Sequence, residues 1–444
     1  MTAVAVVAVA AVTLWATSGG TANPGPAARP AATRAPRVQG GLNSVWSQSV
    51  PSVEAAIGDP ETWLVGDQQI VAAENSAAIG YSYRSGQQQW MWRAPATTDI
   101  CGAGSGTVDG LGVLVYGGAN GNDSECDNIV AVNTSTGKSA WGPVSASFYG
   151  VSGNSAVIMD SSSNIDGLSM SSGQTAWSSA NDQTLTNQNC AGYDAATSDT
   201  VIYGVFTCGD SASPYGLLAS LNPQTGALLS AVRITGGCVA GTPAYSGNGL
   251  YQTPPLYALD GYAVIDCAAQ NAQGETPGQS FAVSAVSGVA KPLDITASGF
   301  DPLNQVSDNA PHPQNLAAYG STLYVETPQA VDAFDMATGS ELWSDPLGSE
   351  FTLIQATPAG LEGLSRGLIG AKACNLALFE AATGKLLLGS AITGNVSDLL
   401  GTADALIANG STIIAVADGV NATGLPNGTQ HVSEFQVGPG GLPQ

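Results

Sequence analysis

A short pattern recurs seven times in the 444-residue sequence. Each copy has an apolar stretch, then a Ser-Gly or Thr-Gly pair, and in four copies a Trp four residues after the Gly. Successive copies lie 36 to 62 residues apart, and their glycines are Gly86, Gly137, Gly173, Gly226, Gly288, Gly339 and Gly384. Glycine readily adopts the positive φ of a tight hairpin turn, so the pattern predicts two strands joined by that turn in every repeat.

A further β-branched run precedes the hairpin in each period, for example LGVLVYGG (111–118) and STLYVET (321–327). A helical solenoid of similar period would need longer segments with apolar residues every three to four positions, and the sequence has none. Short strands repeating about every 50 residues are typical of β-propeller blades, each of which is a four-stranded antiparallel sheet. The sequence therefore predicts an all-β fold, a β-propeller of four-stranded antiparallel blades.

The number of blades depends on how the two ends of the repeat region pair. Residues 44–50 have the character of an outer strand with no inner strands before it, whereas residues 432–437 belong to a repeat that lacks an outer strand. Pairing the two segments closes the ring and leaves no exposed sheet edge. This gives eight blades of about 50 residues each. Seven blades is the alternative if the segments do not pair.

Acidic residues far outnumber basic ones, 34 against 11, for a formal net charge of −23. Nucleic-acid binding needs clustered Lys and Arg to displace counterions, and this sequence has no such cluster. Nucleic acid is therefore excluded as a partner. The same negative charge repels anionic membrane surfaces and polysaccharides but is compatible with neutral and cationic ligands.

The first 42 residues differ in character from the repeats. Ala3–Ala16 is a mostly apolar run of 14 residues, too short at about 1.5 Å per residue to cross a bilayer completely. A signal-peptide core fits this length, but no basic residue precedes the run. We expect residues 1–19 to be a hydrophobic helix acting as a signal or single-pass membrane anchor, 20–42 to be a Pro/Ala-rich disordered linker, and 43–444 to be the propeller. The propeller should lie outside the cytoplasm, tethered to the cell membrane, or secreted if the signal is cleaved.

The cysteines give an independent indication of export. Six of the seven fall into close pairs along the chain, and none has the CxxC spacing of a metal site. Each pair joins the start of a blade's first strand to the end of its second. Local pairing in an exported protein predicts three disulfides, although six cysteines allow 15 connectivities. The predicted bonds are Cys101–Cys126, Cys190–Cys208 and Cys238–Cys267. Cys374 has no mate nearby and is expected to be a buried thiol, with a free or intermolecular thiol as the alternative.

The segment AFDMATGSELW (333–343) has the form AxDxxTGxxxW. The segment AVNTSTGKSAW (131–141) departs from this form only in having Asn133 in place of Asp. This motif resembles the tryptophan-docking motif of the PQQ-binding-like, or quinoprotein-like, β-propeller repeat proteins, here of a membrane-anchored bacterial type. The resemblance covers residues 43–444. It implies that each Trp packs against the neighbouring blade. The residues assigned to inter-blade docking on this basis are Trp90, Trp141, Trp177, Trp343, Gly137 and Gly339.

Three repeats depart from the motif. Ser230, Pro292 and Leu388 stand where the other repeats have Trp. This departure predicts looser packing in the fourth, fifth and seventh blades.

The resemblance also implies an alternative function, because the family includes PQQ-dependent dehydrogenases. PQQ is a tricarboxylate, and holding it requires several cations and a Ca²⁺ ion near the propeller axis. Only eight basic residues follow the linker, and three of them lie on or beside the hairpin turns. We therefore expect neither PQQ nor calcium to be a cofactor.

No catalytic or metal-binding set stands out in the sequence. His312 and His431 are far apart and are expected in loops. Two acidic loops offer oxygen ligands of the kind calcium takes but lack the central Gly of an EF-hand loop, so solvated turns are expected. Their polar residues are Asp123, Glu125 and Asp127 in the first loop, and Asp160, Asn164 and Asp166 in the second.

The longest interruption of the repeats, residues 294–315, includes Phe300, Asp308, Asn309 and His312. We expect a tolerated surface loop, with a ligand-binding element at one face of the ring as the alternative.

These patterns predict a non-catalytic binding or scaffold module at the cell envelope. Its partner is an unknown protein or glycan, and it contacts the membrane only through the N-terminal segment. The alternative is a degenerate PQQ-dependent quinoprotein oxidoreductase.

Overall fold

The computed structural model of the chain describes residues 42–51, 61–65, 69–74, 77–82, 85–96, 98–118, 127–210, 213, 215–234, 256–259, 261–267, 279–293, 316–326, 330–346, 350–366, 374–392, 403–409, 412–420 and 426–437. All of them belong to one unit, Pro36–Gln444. The described residues form 32 strands in eight four-stranded antiparallel sheets, which we call blades 1 to 8.

In blades 1 to 4 the strand order in the sheet follows the chain. Blade 1 contains β2 (Glu61–Val65), β3 (Gln69–Glu74), β4 (Ala77–Ser82) and β5 (Gln88–Arg93). Blade 2 contains β6 (Thr98–Val108), β7 (Leu111–Gly118), β8 (Asn128–Asn133) and β9 (Lys138–Ser145). Blade 3 contains β10 (Ser147–Ser152), β11 (Ser155–Met159), β12 (Ile165–Ser169) and β13 (Thr175–Ser178). Blade 4 contains β14 (Ala191–Thr197), β15 (Ile202–Cys208), β16 (Tyr215–Leu221) and β17 (Leu228–Ile234).

Blades 5 to 7 repeat this order, and blade 8 joins the two ends of the chain. Blade 5 contains β18 (Leu256–Leu259), β19 (Tyr262–Cys267), β20 (Gln279–Ser284) and β21 (Ala290–Leu293). Blade 6 contains β22 (Leu316–Tyr319), β23 (Thr322–Glu326), β24 (Ala330–Asp335) and β25 (Ser340–Pro346). Blade 7 contains β26 (Glu350–Thr357), β27 (Gly360–Arg366), β28 (Cys374–Glu380) and β29 (Leu386–Ile392). Blade 8 contains β30 (Ala403–Asn409), β31 (Thr412–Val420), β32 (Pro426–Val437) and β1 (Leu42–Pro51).

The predicted pairing between the two ends of the repeat region is present in blade 8. Strand β1 pairs with β32 from Leu42 opposite Val437 to Pro51 opposite Thr429. The N-terminal strand therefore supplies the fourth strand of a sheet whose other three strands end the chain.

Burial along the strands follows their position in the blade. Strands β15 and β16 are buried on both faces along most of their length, whereas the fourth strand of blade 4, β17, alternates between partly buried and exposed residues. Uninterrupted apolar runs are typical of strands covered on both faces, and alternation is typical of strands with one solvated face. The hydrophobic core therefore lies between neighbouring sheets.

Six hydrophobic clusters each span two consecutive blades, from the boundary of blades 1 and 2 to that of blades 6 and 7. The first strands contact one another in two runs, from β2 through β6, β10 and β14 to β18, and from β22 through β26 to β30. The first strands thus form the inner part of a multi-blade β-propeller, and the fourth strands its outer part.

A short helical connection links blades 3 and 4. It consists of a 3₁₀ turn, Ser179–Asn181, and one short α-helix, α1 (Gln183–Asn187). The Asp182 carboxylate caps α1 by accepting hydrogen bonds from the backbone N–H groups of Thr184 (2.8 Å) and Leu185 (3.2 Å). Leu185 is buried in the cluster between blades 3 and 4, which holds the connection against the core.

Within the described ranges, no helix has the length and apolar character needed to cross a bilayer. The predicted N-terminal helix, the linker up to residue 41 and the insertion at 294–315 lie outside these ranges.

Candidate functional site

The fourth strands carry tryptophans at the blade boundaries. Four indole N–H groups each donate a hydrogen bond to a backbone carbonyl of the following blade, and the acceptor always lies three residues before that blade's turn glycine. The bonds run from Trp90 to Thr134 (2.6 Å), Trp141 to Met170 (2.6 Å), Trp177 to Pro223 (2.8 Å) and Trp343 to Ala381 (2.9 Å). The same contact therefore holds four boundaries.

The turn glycine of the following blade packs against the same indole. A Cβ atom at Gly137 would lie 2.6 Å from Cε3 of Trp90, and one at Gly173 would lie 2.7 Å from Cδ2 of Trp141. Both glycines also have positive φ angles, 67° and 69°. Glycine is thus needed for the turn conformation and for the close approach of the indole.

Gly339 has a different neighbour, because blade 5 has Pro292 where blades 1 to 3 have Trp. A Cβ atom at Gly339 would collide with the backbone carbonyl oxygen of Pro292. Gly339 therefore lies at a blade boundary, as the motif implies, but it contacts backbone instead of an indole.

Ser230 replaces the Trp of blade 4 and provides the corresponding hydrogen bond. Its hydroxyl donates to the carbonyl of Ala285 at 2.9 Å, and Ala285 again lies three residues before a turn glycine, Gly288. Ser220 donates to the same carbonyl at 2.9 Å. A continuous buried cluster fills this boundary, including Tyr203. Ser230 therefore supplies at this boundary the donor that an indole supplies at four others, and the looser packing predicted for blade 4 stays a prediction. The side chain of Leu388, in blade 7, lies outside the described residues.

In blades 2 and 6 an Asn or Asp at the end of the third strand accepts hydrogen bonds from the turn that follows. In blade 2 the Asn133 side-chain oxygen accepts hydrogen bonds from the backbone N–H groups of Ser135 (3.1 Å) and Thr136 (3.0 Å). In blade 6 Asp335 accepts from the Thr338 hydroxyl at 2.9 Å. Because the turn uses only a side-chain oxygen, Asn133 replaces Asp without loss of these bonds.

Three of the four residues that supply the acceptor carbonyls, all but Pro223, also donate a backbone hydrogen bond within their blade, which the sequence pattern did not reveal. The N–H of Thr134 donates to the carbonyl of Gly110, and that of Met170 donates to Asn154, both at 2.9 Å. These partners lie in the turn between the first and second strands of the same blade. The constant three-residue offset from the turn glycine is the sequence signal that identifies such residues.

A disulfide joins the first two strands of blade 4. Cys190 and Cys208 are bonded, with Cα atoms 4.0 Å apart. Next to the bond, the N–H of Gly209 donates to the carbonyl of Gln188 (2.8 Å), and the Asn189 amide donates to the carbonyl of Gly209 (3.0 Å). The predicted Cys190–Cys208 pair is therefore present, with two hydrogen bonds next to it.

The other two predicted disulfides remain predictions. Cys126 and Cys238 lie outside the described residues, and only the backbone is described for Cys101 in β6, Cys267 in β19 and Cys374 in β28.

Bulges interrupt the first strands at equivalent places in blades 2, 3, 4, 7 and 8. A bulge leaves one residue out of the pairing and re-aims its side chain. The residues left out of the ladder are Cys101, Tyr149, Tyr193, Ile354 and Asp404. The pairing register of these five first strands therefore shifts by one residue at the bulge.

Two of the bulges bring together Tyr149 on β10 and Asp194 on β14. Burial raises the pKa of Asp194 to about 7, although the N–H of Ala195 donates to this carboxylate at 2.7 Å and acts in the opposite direction. Burial also raises the pKa of Tyr149, and the charges of Asp194 and then Tyr193 add to the effect. Asp194 as a residue is only partly buried, although protein atoms surround its carboxylate. It can exchange a proton near neutral pH and can accept hydrogen bonds from a ligand.

Charge is segregated between the inner and outer strands. No Lys, Arg or His occurs in the eight first strands, whereas five acidic residues do: Glu61, Asp99, Asp194, Glu350 and Asp404. The described basic side chains lie on fourth strands or in the turns before them, and these are Arg93, Lys138, Arg233, Lys291 and Lys385. A tricarboxylate such as PQQ needs cations facing the axis, so the residues present on the inner strands do not fit it.

Of the three acidic residues named in the loop of blade 2, only Asp127 is described. In blade 2, Asp127 accepts hydrogen bonds from the Asn128 amide (2.8 Å) and the Ser145 hydroxyl (3.0 Å). Asp123 and Glu125 lie outside the described residues, as does His312.

His431 was expected in a loop, and that expectation is wrong. It lies within β32, opposite Ser49 and Ala417, because this strand is paired on both sides.

No protein-family model and no curated protein matches the sequence. Among solved structures, the chain is similar to BamB from Moraxella catarrhalis, with 17% sequence identity, a TM-score of 0.48 and coverage of 89% of this chain and 99% of that one. It is similar to Sqt1 from Saccharomyces cerevisiae, with 12% identity, a TM-score of 0.47 and coverage of 91% and 100%. A chain of a mitotic checkpoint complex has 8% identity, a TM-score of 0.45 and coverage of 94% and 100%. The strand pairing of this chain itself establishes its β-propeller architecture.

Proposed function

We propose that the chain is an exported, non-catalytic binding or scaffold propeller of the quinoprotein-like type, held at the cell envelope through its N-terminal segment. The segregation of charge carries this proposal. Acidic residues and aromatics such as Tyr149 and Tyr193 occupy the inner strands, and the described cations occupy the outer ones. Such an inner surface suits a neutral or cationic partner, a protein segment or glycan, and opposes an anionic cofactor.

Export is supported by the Cys190–Cys208 disulfide, because structural disulfides persist in oxidising compartments. The apolar run at Ala3–Ala16 supplies the targeting or anchoring segment in this proposal.

The competing oxidoreductase function is tested by cofactor reconstitution. Purified full-length protein is incubated with PQQ and Ca²⁺, separated from free cofactor, and its absorption is recorded. We expect no cofactor band and no alcohol-dependent dye reduction. A stoichiometric band together with dye reduction would overturn the non-catalytic proposal.

Binding at the inner strands is tested by site-specific photocrosslinking in the native cell envelope, read out by mass spectrometry. A photoreactive phenylalanine replaces Tyr149 on β10, and the matched control replaces Gln174, an exposed turn residue of the same blade. We expect the Tyr149 position to yield a crosslinked partner that the Gln174 position does not. Identical partners at both positions, or none at Tyr149, would contradict binding at the inner strands.

A further inference from the structure

The β11–β12 hairpin of blade 3 ends in the sequence DSSSNID (160–166), which has an oxygen-bearing side chain at every second position. Ile158 pairs with Asp166, Met159 pairs with Ile165, and the N–H of Asp160 donates to the carbonyl of Asn164 at 3.0 Å. Side chains alternate between the two faces of a hairpin. Asp160, Asn164 and Asp166 therefore lie on one face, at the end of the hairpin.

The loop already holds one carboxylate in place. Asp160 accepts hydrogen bonds from the N–H groups of Ser162 and Asn164, both at 2.8 Å, and from the Asn164 amide at 3.0 Å. These three bonds fix the orientation of the Asp160 carboxylate. The two ends of the Asn164 amide are nearly identical in shape, so a flip of the amide would bring its side-chain oxygen to the side of the Asp160 carboxylate when a cation is bound there.

The second carboxylate points to a ligand. Asp166 is only 7% exposed, and its Oδ1 is buried without a hydrogen-bond partner. Ser178 bonds to the carboxylate, and the charge of Asp160 lies nearby. A buried carboxylate oxygen with no partner is costly in any protein unless a cation or a proton compensates it.

We propose that the end of this hairpin binds a Ca²⁺ ion through the carboxylates of Asp160 and Asp166, the side-chain oxygen of Asn164 and the hydroxyl of Ser162. All four are hard oxygen ligands, and water completes the 6 to 8 ligands that calcium takes. The site revises the expectation of a solvated turn at this loop, and it stands independently of the proposed function.

The loop can turn around a cation without the glycine of an EF-hand loop. The EF-hand glycine is missing, but Ser163 has a φ of 61° and supplies the left-handed residue that lets the loop turn. In the described part of the chain, no three His, Cys, Asp or Glu side chains are placed to hold a metal ion together, so the proposed site depends on Asn and Ser oxygens as well. With two carboxylates the site is weak, and we expect a dissociation constant of about 10⁻⁴ to 10⁻³ M, as in extracellular modules.

The test is a calcium titration of the EDTA-treated full-length protein, followed by calorimetry and by thermal unfolding with Ca²⁺ or Mg²⁺. We expect Ca²⁺ to raise the melting temperature at millimolar concentration and Mg²⁺ to raise it less, because Mg²⁺ demands a stricter octahedral geometry. D166N should abolish the shift and melt no lower than the wild type in EDTA, since it removes a buried charge without changing the side-chain size. N164A should weaken binding by about tenfold or more.

The matched control is D127N, which alters an acidic loop at the equivalent place in blade 2, where both carboxylate oxygens have partners. It should bind calcium like the wild type. The proposal is overturned if about 10 mM Ca²⁺, well above the expected dissociation constant, produces neither heat nor a thermal shift. It is also overturned if D166N and N164A bind as the wild type does, or if D166N raises the melting temperature equally with and without calcium. The last result would mean that Asp166 is simply protonated.

Discussion

Replacing Gly137 with alanine separates the two reasons for a glycine under a docking tryptophan. The turn conformation alone, with φ at 67°, costs a residue with a Cβ about 1–2 kcal/mol. The added methyl would also lie 2.6 Å from Cε3 and 2.8 Å from Cδ2 of Trp90, so the indole must shift. Overpacking of this kind costs about 1–3 kcal/mol. Weakening the bond from Trp90 to the Thr134 carbonyl costs about 1 kcal/mol more. We expect Gly137→Ala to lower the free energy of unfolding by roughly 3–6 kcal/mol.

Gly320→Ala is the matched control. Gly320 has a similar φ of 60°, but a Cβ atom there would meet nothing within 4 Å. Its substitution should cost only the conformational part, about 1–2 kcal/mol. Urea unfolding followed by tryptophan fluorescence gives both values, and the m-value shows whether the transitions are comparable. Equal losses in the two variants would refute the role assigned to the indole contact.

Three further outcomes are expected from the same unfolding assay. Ser230→Ala should destabilise the protein by about 1 kcal/mol, because the Ala285 carbonyl loses a donor; an unchanged midpoint would contradict this. Asp194 has a pKa raised to about 7, so the folded state retains a proton that the unfolded state loses above about pH 4. Stability should fall as pH rises from about 4 to 7. Asp194→Asn should therefore be more stabilising at pH 8 than at pH 5, and an identical pH dependence in both proteins would count against the burial of that carboxylate. Replacing both Cys190 and Cys208 with serine should cost about 3 kcal/mol, since the bond closes a loop of 18 residues; a loss under about 0.5 kcal/mol would show that the hydrogen bonds beside the bond suffice.

The periodic features of the fold were accessible from the sequence because they depend on local chemistry. The turn glycines need positive φ, and the tryptophans recur at a fixed distance after them, so the hairpins at Gly137 and Gly173 could be predicted directly. The pairing of the two chain ends followed from the need to leave no open edge.

The remaining features depend on contacts between segments that are distant in sequence. Ser230 lacks an indole, yet it reaches the same type of carbonyl, which is visible only once blades 4 and 5 are packed together. The raised pKa of Asp194 depends on surrounding atoms from neighbouring strands. The unpartnered oxygen of Asp166 likewise depends on the burial of its hairpin face. A residue pattern cannot specify such environments, because it does not give the distances between blades.

Blade 8 contains strands from both ends of the repeat region, so its sheet forms only after all four strands have been synthesised. Its fourth strand, β1, precedes the other described strands along the chain, and its partner β32 follows them. During synthesis β1 therefore lacks its partner until β32 has also been made. The β1–β32 pairing that closes the ring therefore forms late in folding.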